Sequence, residues 1–263
     1  NPFKDGEEFA KRTADTIQNI GHGNSVLAIM FVPTALLAWM RGGKWRLFAC
    51  NLAALVLFTT YISGTAANLV AVIAACLIMI IGYFWPKIAL HLSFLVAGIV
   101  VTAAPILAFT ASRLTPAFKA KLPFSWEERV ENWSYLYDRI FEKPVFGHGF
   151  DAVRTFTETH TIRGFPDRAY VSLHPHNAGL HIWVELGFVG AVMVYFALYL
   201  GAKHLTQPGR LNHGQMVATA GLVMSATVIS SLSYGVWQDW WWATVILGAS
   251  VISLIRTAPR VGK

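Results

Sequence analysis

Charge is scarce in this chain. Asp, Glu, Lys and Arg together make up 13% of its 263 residues, about half of what a soluble domain carries. With 55% hydrophobic residues, that deficit excludes both a disordered segment, which needs high charge and few apolar residues, and an ordinary soluble domain. Cysteine is nearly missing as well. Cys50 and Cys76 both lie inside apolar runs, so there is no disulfide framework and no Cys-based metal site, and the two read as packing residues. The chain also lacks internal repeats, low-complexity tracts, an initiating methionine and a signal-type n-region and h-region. Its start, Asn1-Pro2 followed by some two dozen polar, slightly acidic residues, reads as the interior of a longer protein.

Long apolar stretches fill the space that charge leaves. They occur at 25–41, 45–62, 66–84, 88–111, 179–200, 214–235 and 238–255, each close to the ~20 residues a helix needs to cross ~30 Å of hydrocarbon. Lipid cannot satisfy the backbone of an open sheet, so the expected fold is all-α, a polytopic transmembrane bundle of about seven spans. Three parts follow: residues 1–111 with an outer segment and four helices, a large loop at 112–178, and residues 179–263 with three helices.

The sign of the loop charges orients the bundle. One set of loops holds Arg41, Lys44, Arg46, Lys87, Lys203, Arg210, Arg256, Arg260 and Lys263 without a single Asp or Glu, as the positive-inside rule requires of a cytoplasmic face. The net charge of +7 is therefore topological. Its basic residues are spread thinly and form no stripe, so no nucleic-acid partner is expected. The 112–178 segment falls on the opposite side, with nine basic and eight acidic residues.

Within that loop, Ser125 and Glu128 make a capping-box pattern, and Val130, Trp133, Tyr137, Ile140 and Phe141 repeat at helical spacing. Pro144 and Gly147-His148-Gly149 end the helix. Being amphipathic and rich in Trp and Tyr, it is suited to lie along the membrane or to cover a cavity in the bundle. Arg129 sits on its first turn. A less regular stretch with Arg154, Arg163 and Arg168 follows.

The loop ends at LHPHNAGLHIWVELGFVG, residues 173–190. His174, His176 and Asn177 stand at the N-terminus of the next span, where unpaired N–H groups favour an anion and keep an imidazole neutral. A neutral imidazole is a base, although polar residues also simply populate membrane interfaces. His174, His176 and His181 lack a fourth ligand at telling spacing, and no metal is expected. Glu185 lies about two turns into the span, where a carboxylate costs on the order of 2–3 kcal/mol without a partner. His181, four residues earlier on the same face, is the expected one. Gly187 and Gly190 suit close packing by a neighbouring helix.

These residues carry a resemblance. His176-Asn177, Leu180, Glu185-Leu186-Gly187 and Gly190 are similar to the H-N-x-x-L-x-x-x-x-E-L-G-x-x-G signature of the O-antigen ligase and polymerase superfamily. SWEERVENWSYLYDRIFEKPVFGHGFDAVR, residues 125–154, resembles that family's S-x-x-x-R-x-x-x-W segment and E-x-P-x-x-G-x-G turn, and GHGN at 21–24 and YGVWQDWWW at 234–242 fit two of its spans. The likeness runs through nearly the whole chain in order. The family commonly carries an arginine in a turn where this chain reads Ser63-Gly64-Thr65, and its members have further spans ahead of this start.

The resemblance implies a GT-C-type glycosyltransferase of the bacterial inner membrane with its site facing the periplasm, working with inversion and without cofactor or metal. Its donor would be a polyprenyl-diphosphate-linked glycan and, in the ligase branch, its acceptor lipid A-core. His176 would activate the acceptor hydroxyl, Arg129 and Arg154 would hold the diphosphate, and His174, Asn177 and Glu185 would support them. A polysaccharide polymerase or a protein O-oligosaccharyltransferase of the same superfamily differs only in acceptor. A transporter using Glu185 and the histidines as a proton relay is the alternative from another class.

Overall fold

The computed structural model describes residues 2–255, with side chains from residue 13 onward apart from residue 14. The chain start at Asn1 and the tail that carries Arg256, Arg260 and Lys263 lie outside the described residues. Among the described residues ten α-helices run α1 (Pro2–Arg41), α2 (Lys44–Ile62), α3 (Ala66–Phe84), α4 (Pro86–Thr102), α5 (Ala104–Arg113), α6 (Pro116–Lys119), α7 (Phe124–Glu142), α8 (Ala178–Leu205), α9 (His213–Leu232) and α10 (Asp239–Ser253). The fold is all-α apart from a hairpin of β1 (Thr159–Ile162) and β2 (Phe165–Ala169). Among the described residues five helices are long and apolar enough to span a membrane, or six if the bent pair α4 and α5 makes one span.

Two of the seven expected runs, 88–111 and 238–255, do not form single helices of that length. Pro105, at the start of α5, withholds a backbone donor, and the run 88–111 breaks at Ala103 with a bend of 51°. The run 238–255 gives a helix of 15 residues, short of the ~20 a perpendicular span needs. Residues 233–238, just before it, are turn and irregular backbone.

Two compact units divide the chain: residues 1–93 with 206–229 and 242–263, and residues 94–205 with 230–241. In the first, α1, α2 and α3 pack against one another, as the two-to-three-residue turns between them require. A buried polar tie closes one end. Asn24 donates to Ser63 Oγ (2.6 Å) and Thr65 Oγ1 (3.1 Å), Ser25 donates to Asn68 Oδ1 (2.9 Å), and Asn68 donates back to the Gly21 carbonyl (3.3 Å). The GHGN stretch is thus a helical segment locked onto the α2–α3 turn.

The second unit is built around α7. Val130, Trp133, Leu136 and Ile140 form its buried stripe and pack on Ala104, Ala108 and Ala111 of α5 and on Leu180 and Val184 of α8. The amphipathic helix therefore covers other helices. It begins at Phe124 after Pro123, with no side-chain cap, so the Ser125–Glu128 capping box does not form. The preset φ of Pro123 starts the helix two residues early and places Ser125 inside its first turn.

Candidate active site

The His-Pro-His-Asn turn is held from three directions. Trp133 of α7 donates its indole N–H to the Pro175 carbonyl (2.9 Å). Asn177 is the N-cap of α8, its Oδ1 accepting the Leu180 N–H (2.9 Å), while its Nδ2 donates to the Ser231 carbonyl (3.1 Å). His176 Nδ1 lies 2.9 Å from the Ser233 carbonyl. A carbonyl can only accept, so Nδ1 carries the hydrogen and Nε2 the lone pair. His176 also has a φ of 54°, an uncommon conformation for a side-chain-bearing residue and one that concentrates at functional sites.

Burial favours the neutral imidazole. Burial pulls His176 below the ordinary histidine range, against the opposing effect of the Ser233 carbonyl, and Arg129 adds to the lowering. His174, whose Nδ1 accepts the His176 backbone N–H (3.2 Å), is pushed down to about 3, first by burial, then by His176 and His181, with Arg129 and Arg154 contributing.

Glu185 is fully buried and engaged at both oxygens. Oε1 accepts from the Val153 N–H (3.2 Å) and from His181 Nε2 (3.1 Å), and Oε2 accepts the Trp237 indole N–H (2.5 Å). His181 Nδ1 in turn accepts the Val236 N–H (3.2 Å), so its Nε2 is the donor to the carboxylate. The pairing read from i,i+4 spacing is present, with two further partners that the spacing did not reveal.

The Glu185-Leu186-Gly187 signature breaks α8. Gly187 has φ 62° and ψ −159° inside the helix, a region closed to residues with a Cβ. The break frees carbonyls and amides, and the 144–149 turn pairs with them. His148 and Gly149 donate to the carbonyls of Val184 and Glu185, while Phe188 and Val189 donate to those of Pro144 and Val145, at 2.8–3.1 Å. The approach leaves no room for side chains. A Cβ on Gly147 would sit 2.3 Å from the Glu185 backbone, and one on Gly187 2.5 Å from the Val145 carbonyl. These glycines therefore join a loop to an opened helix, a correction to the expected helix–helix role, and a Cβ at Gly190 would meet Leu186 of the same helix.

Arg129 and His176 line one cavity of about 420 Å³, with Asn132, His160, Arg168 and Tyr170. The Arg129 guanidinium stacks on Trp126 (5.1 Å) and makes no hydrogen bond among the described residues, while burial lowers its pKa against the pull of Glu128. Arg154 is elsewhere. It lies on the 3-10 turn Ala152–Thr155, its side chain 65% exposed and its Nε 2.9 Å from Asp151 Oδ1. The two arginines do not line this cavity together, although both raise the potential at His174.

The two arginines that the sequence left unassigned separate cleanly. Arg163 sits with Gly164 at the hairpin tip, both at positive φ, and binds Glu127 together with the carbonyls of Ala120 and Leu122. It anchors the hairpin. Arg168 pairs with Glu128 and faces the cavity. His160, Asn132 and Trp237 were passed over in the sequence. For Asn132 a signal existed, because Ser125, Glu128, Arg129 and Asn132 recur at the spacing of one helix face.

A family model described as O-antigen ligase matches residues 48–195. The chain belongs to the O-antigen ligase family. Among curated proteins it is similar to three rickettsial members provisionally named polysaccharide ligases. The one from Rickettsia conorii is 25% identical over 250 residues, 90% of this chain and 59% of that protein. The one from Rickettsia felis is 25% identical over 81% of this chain and 54% of its own length, and the one from Rickettsia bellii 30% identical over 45% and 29%. The chain thus spans about half the length of the relatives it matches. No solved structure matches it. In this chain the H-N and E-L-G signatures and the P-x-x-G turn come together along the first part of α8, up to its break at Gly187.

Proposed function

We propose that this protein is an O-antigen ligase of GT-C type, transferring a glycan from a polyprenyl-diphosphate carrier to lipid A-core at the periplasmic face of the inner membrane. The observation that carries the reading is the pairing, in one cavity, of an arginine with no hydrogen-bond acceptor and a histidine whose Nδ1–H is fixed by Ser233. Guanidinium groups bind phosphate oxygens in a fork and offset the charge that grows on a departing diphosphate. The acceptor hydroxyl then has to lose its proton to a base.

The step balances simply. An acceptor oxygen attacks the anomeric carbon and its proton passes to His176 Nε2. The bond from that carbon to the diphosphate oxygen breaks on the opposite face, which inverts the centre. Arg129 receives the diphosphate charge, and Arg154 adds positive potential near the histidines. Asn177 positions His176 through α8, and Glu185 with His181 fixes the 236–237 segment beside it. His174 supports the turn through its acceptance of the His176 N–H. No step calls for a metal or cofactor.

The rickettsial names favour ligation. The same chemistry with a growing glycan or a hydroxyl-bearing peptide as acceptor would make a polymerase or a protein glycosyltransferase. Full-length protein supplied with polyprenyl-diphosphate glycan and competing lipid A-core, free glycan and peptide is expected to glycosylate lipid A-core preferentially. Transfer to free glycan or peptide alone would reassign the acceptor, and no transfer to any would sink the reading.

Orientation rests on the loop charges. A cysteine placed at Thr157 is expected to react with an impermeant thiol reagent from outside, and one at Gln207 is not. The reverse pattern would put the cavity on the wrong side for a periplasmic reaction.

A further inference from the structure

The cavity contains acceptors as well as cations. Asn132 is 4% exposed, and its Oδ1 is buried without a hydrogen-bond partner, as is His160 Nε2. Both residues line the wall that also holds Arg129 and His176. The state of His160 follows from its other nitrogen: Nδ1 is 3.0 Å from the Arg168 carbonyl, so it bears the hydrogen and Nε2 presents a bare lone pair. Stacking fixes the ring, with Tyr170 at 4.2 Å and 16° from His160, and Tyr135 at 4.7 Å and 8° from Tyr170. Tyr135 is itself held by Glu158 (2.7 Å) and covered by Arg139 (4.9 Å). Asn132 is one turn beyond Arg129 on the same face of α7.

A diphosphate cannot satisfy these atoms, because near neutrality it offers oxygens and almost no protons. Buried acceptors left open are costly, and what they lack is a hydrogen-bond donor, which a sugar hydroxyl can supply. We infer that the cavity holds a sugar ring next to the diphosphate, with ring hydroxyls donating to His160 Nε2 and Asn132 Oδ1. His160 and Asn132 are then specificity-determining residues that read the hydroxyl pattern of the glycan, and the Tyr135–Tyr170–His160 stack is the support that keeps the imidazole in place. The inference rests on the transfer reading above and adds its sugar subsite. The ring belongs either to the first sugar of the carrier-linked glycan or to the acceptor sugar, and the chemistry is the same for both.

Equilibrium binding to the full-length protein separates these cases. Three probes are used: bare polyprenyl diphosphate, polyprenyl diphosphate bearing one sugar repeat, and free core oligosaccharide. His160→Phe keeps a flat ring for Tyr170 and loses the acceptor, and Asn132→Ala removes the second acceptor without touching the stack. Each is expected to weaken either the glycan-bearing donor or the core oligosaccharide by about tenfold, the loss of one hydrogen bond to an otherwise open group. Binding of bare polyprenyl diphosphate stays within about twofold. Which probe weakens identifies the source of the sugar.

Unchanged binding of all three probes in both variants overturns the subsite and leaves the Arg129 reading intact. Equal weakening of all three also overturns it, because it marks a structural role. If His160→Phe does not fold, Asn132→Ala decides alone. Wild-type protein that binds none of the probes removes the transfer reading and the subsite with it.

Discussion

His176→Ala is expected to abolish glycan transfer while insertion into the membrane and binding of the lipid diphosphate persist. General bases contribute about 10²–10⁴ in rate, so kcat should fall by at least two orders of magnitude. The fold should tolerate the change, since Asn177 keeps the cap of α8 and Trp133 still holds Pro175. The pH profile makes the prediction specific. Burial sets the pKa of His176 below its ordinary value of ~6.5, so the working, neutral form is present above that depressed pKa and is lost as pH falls through it. An acid limb is expected below 6.5, lower than an unperturbed histidine would give. The limb should vanish from the residual activity of His176→Gln. Stability carries the same sign: the unfolded histidine takes up a proton near 6.5 while the folded one resists, so acidification below that point favours unfolding. His174→Ala should be milder, because it removes one acceptor from the turn and no reacting group. A His176→Ala protein that transfers at near wild-type rate would leave the cluster as a helix cap only.

The second large effect is expected at Arg129. Its guanidinium has an aromatic support and no hydrogen-bond acceptor among the described residues, which leaves its planar fork available to an anion. Losing one preorganised donor to a developing oxyanion costs about 10²–10³ in kcat, and Arg129→Ala should fall in that range. Arg129→Lys keeps the charge but not the planar fork, so it should recover less than about a tenth of wild-type activity. Arg154→Ala should be weaker, because Arg154 is already bound to Asp151 and mostly exposed. Steady-state kinetics over a range of donor concentrations check both, and full activity in Arg129→Ala and Arg154→Ala alike would take the two arginines out of the site.

Local signals in the sequence found some of this and missed the rest for identifiable reasons. The pairing of His181 with Glu185 was legible because both lie on one helix face, four residues apart. The indole of Trp237 on the same carboxylate was not, because 52 residues separate the two and no periodicity links them. Helical spacing located α7, but a capping box read from Ser125 and Glu128 yielded to Pro123, whose fixed φ starts the helix earlier. The two glycines of the E-L-G-x-x-G signature looked like a packing surface, since small residues in an apolar span usually are. Only the backbone shows that Gly187 opens the helix. The hairpin carrying His160 has a single apolar side facing inward, Ile162, and four residues with so little alternation give no strand pattern to read.

The route by which Ser233 reaches His176 has a consequence for how the protein is made. The proton-bearing nitrogen of His176 is specified by a carbonyl 57 residues further along the chain, Asn177 waits for Ser231, His181 for Val236, and Glu185 for Trp237. On the ribosome, α8 can enter the bilayer with its histidines and its carboxylate in place but without any of these partners. Until α9 has been inserted and the 231–237 segment has turned back, the tautomer is unset and the carboxylate lacks one of its donors. The arrangement around His176 and Glu185 is therefore completed only once the 231–237 segment has reached α8, and α8 inserted alone does not form it.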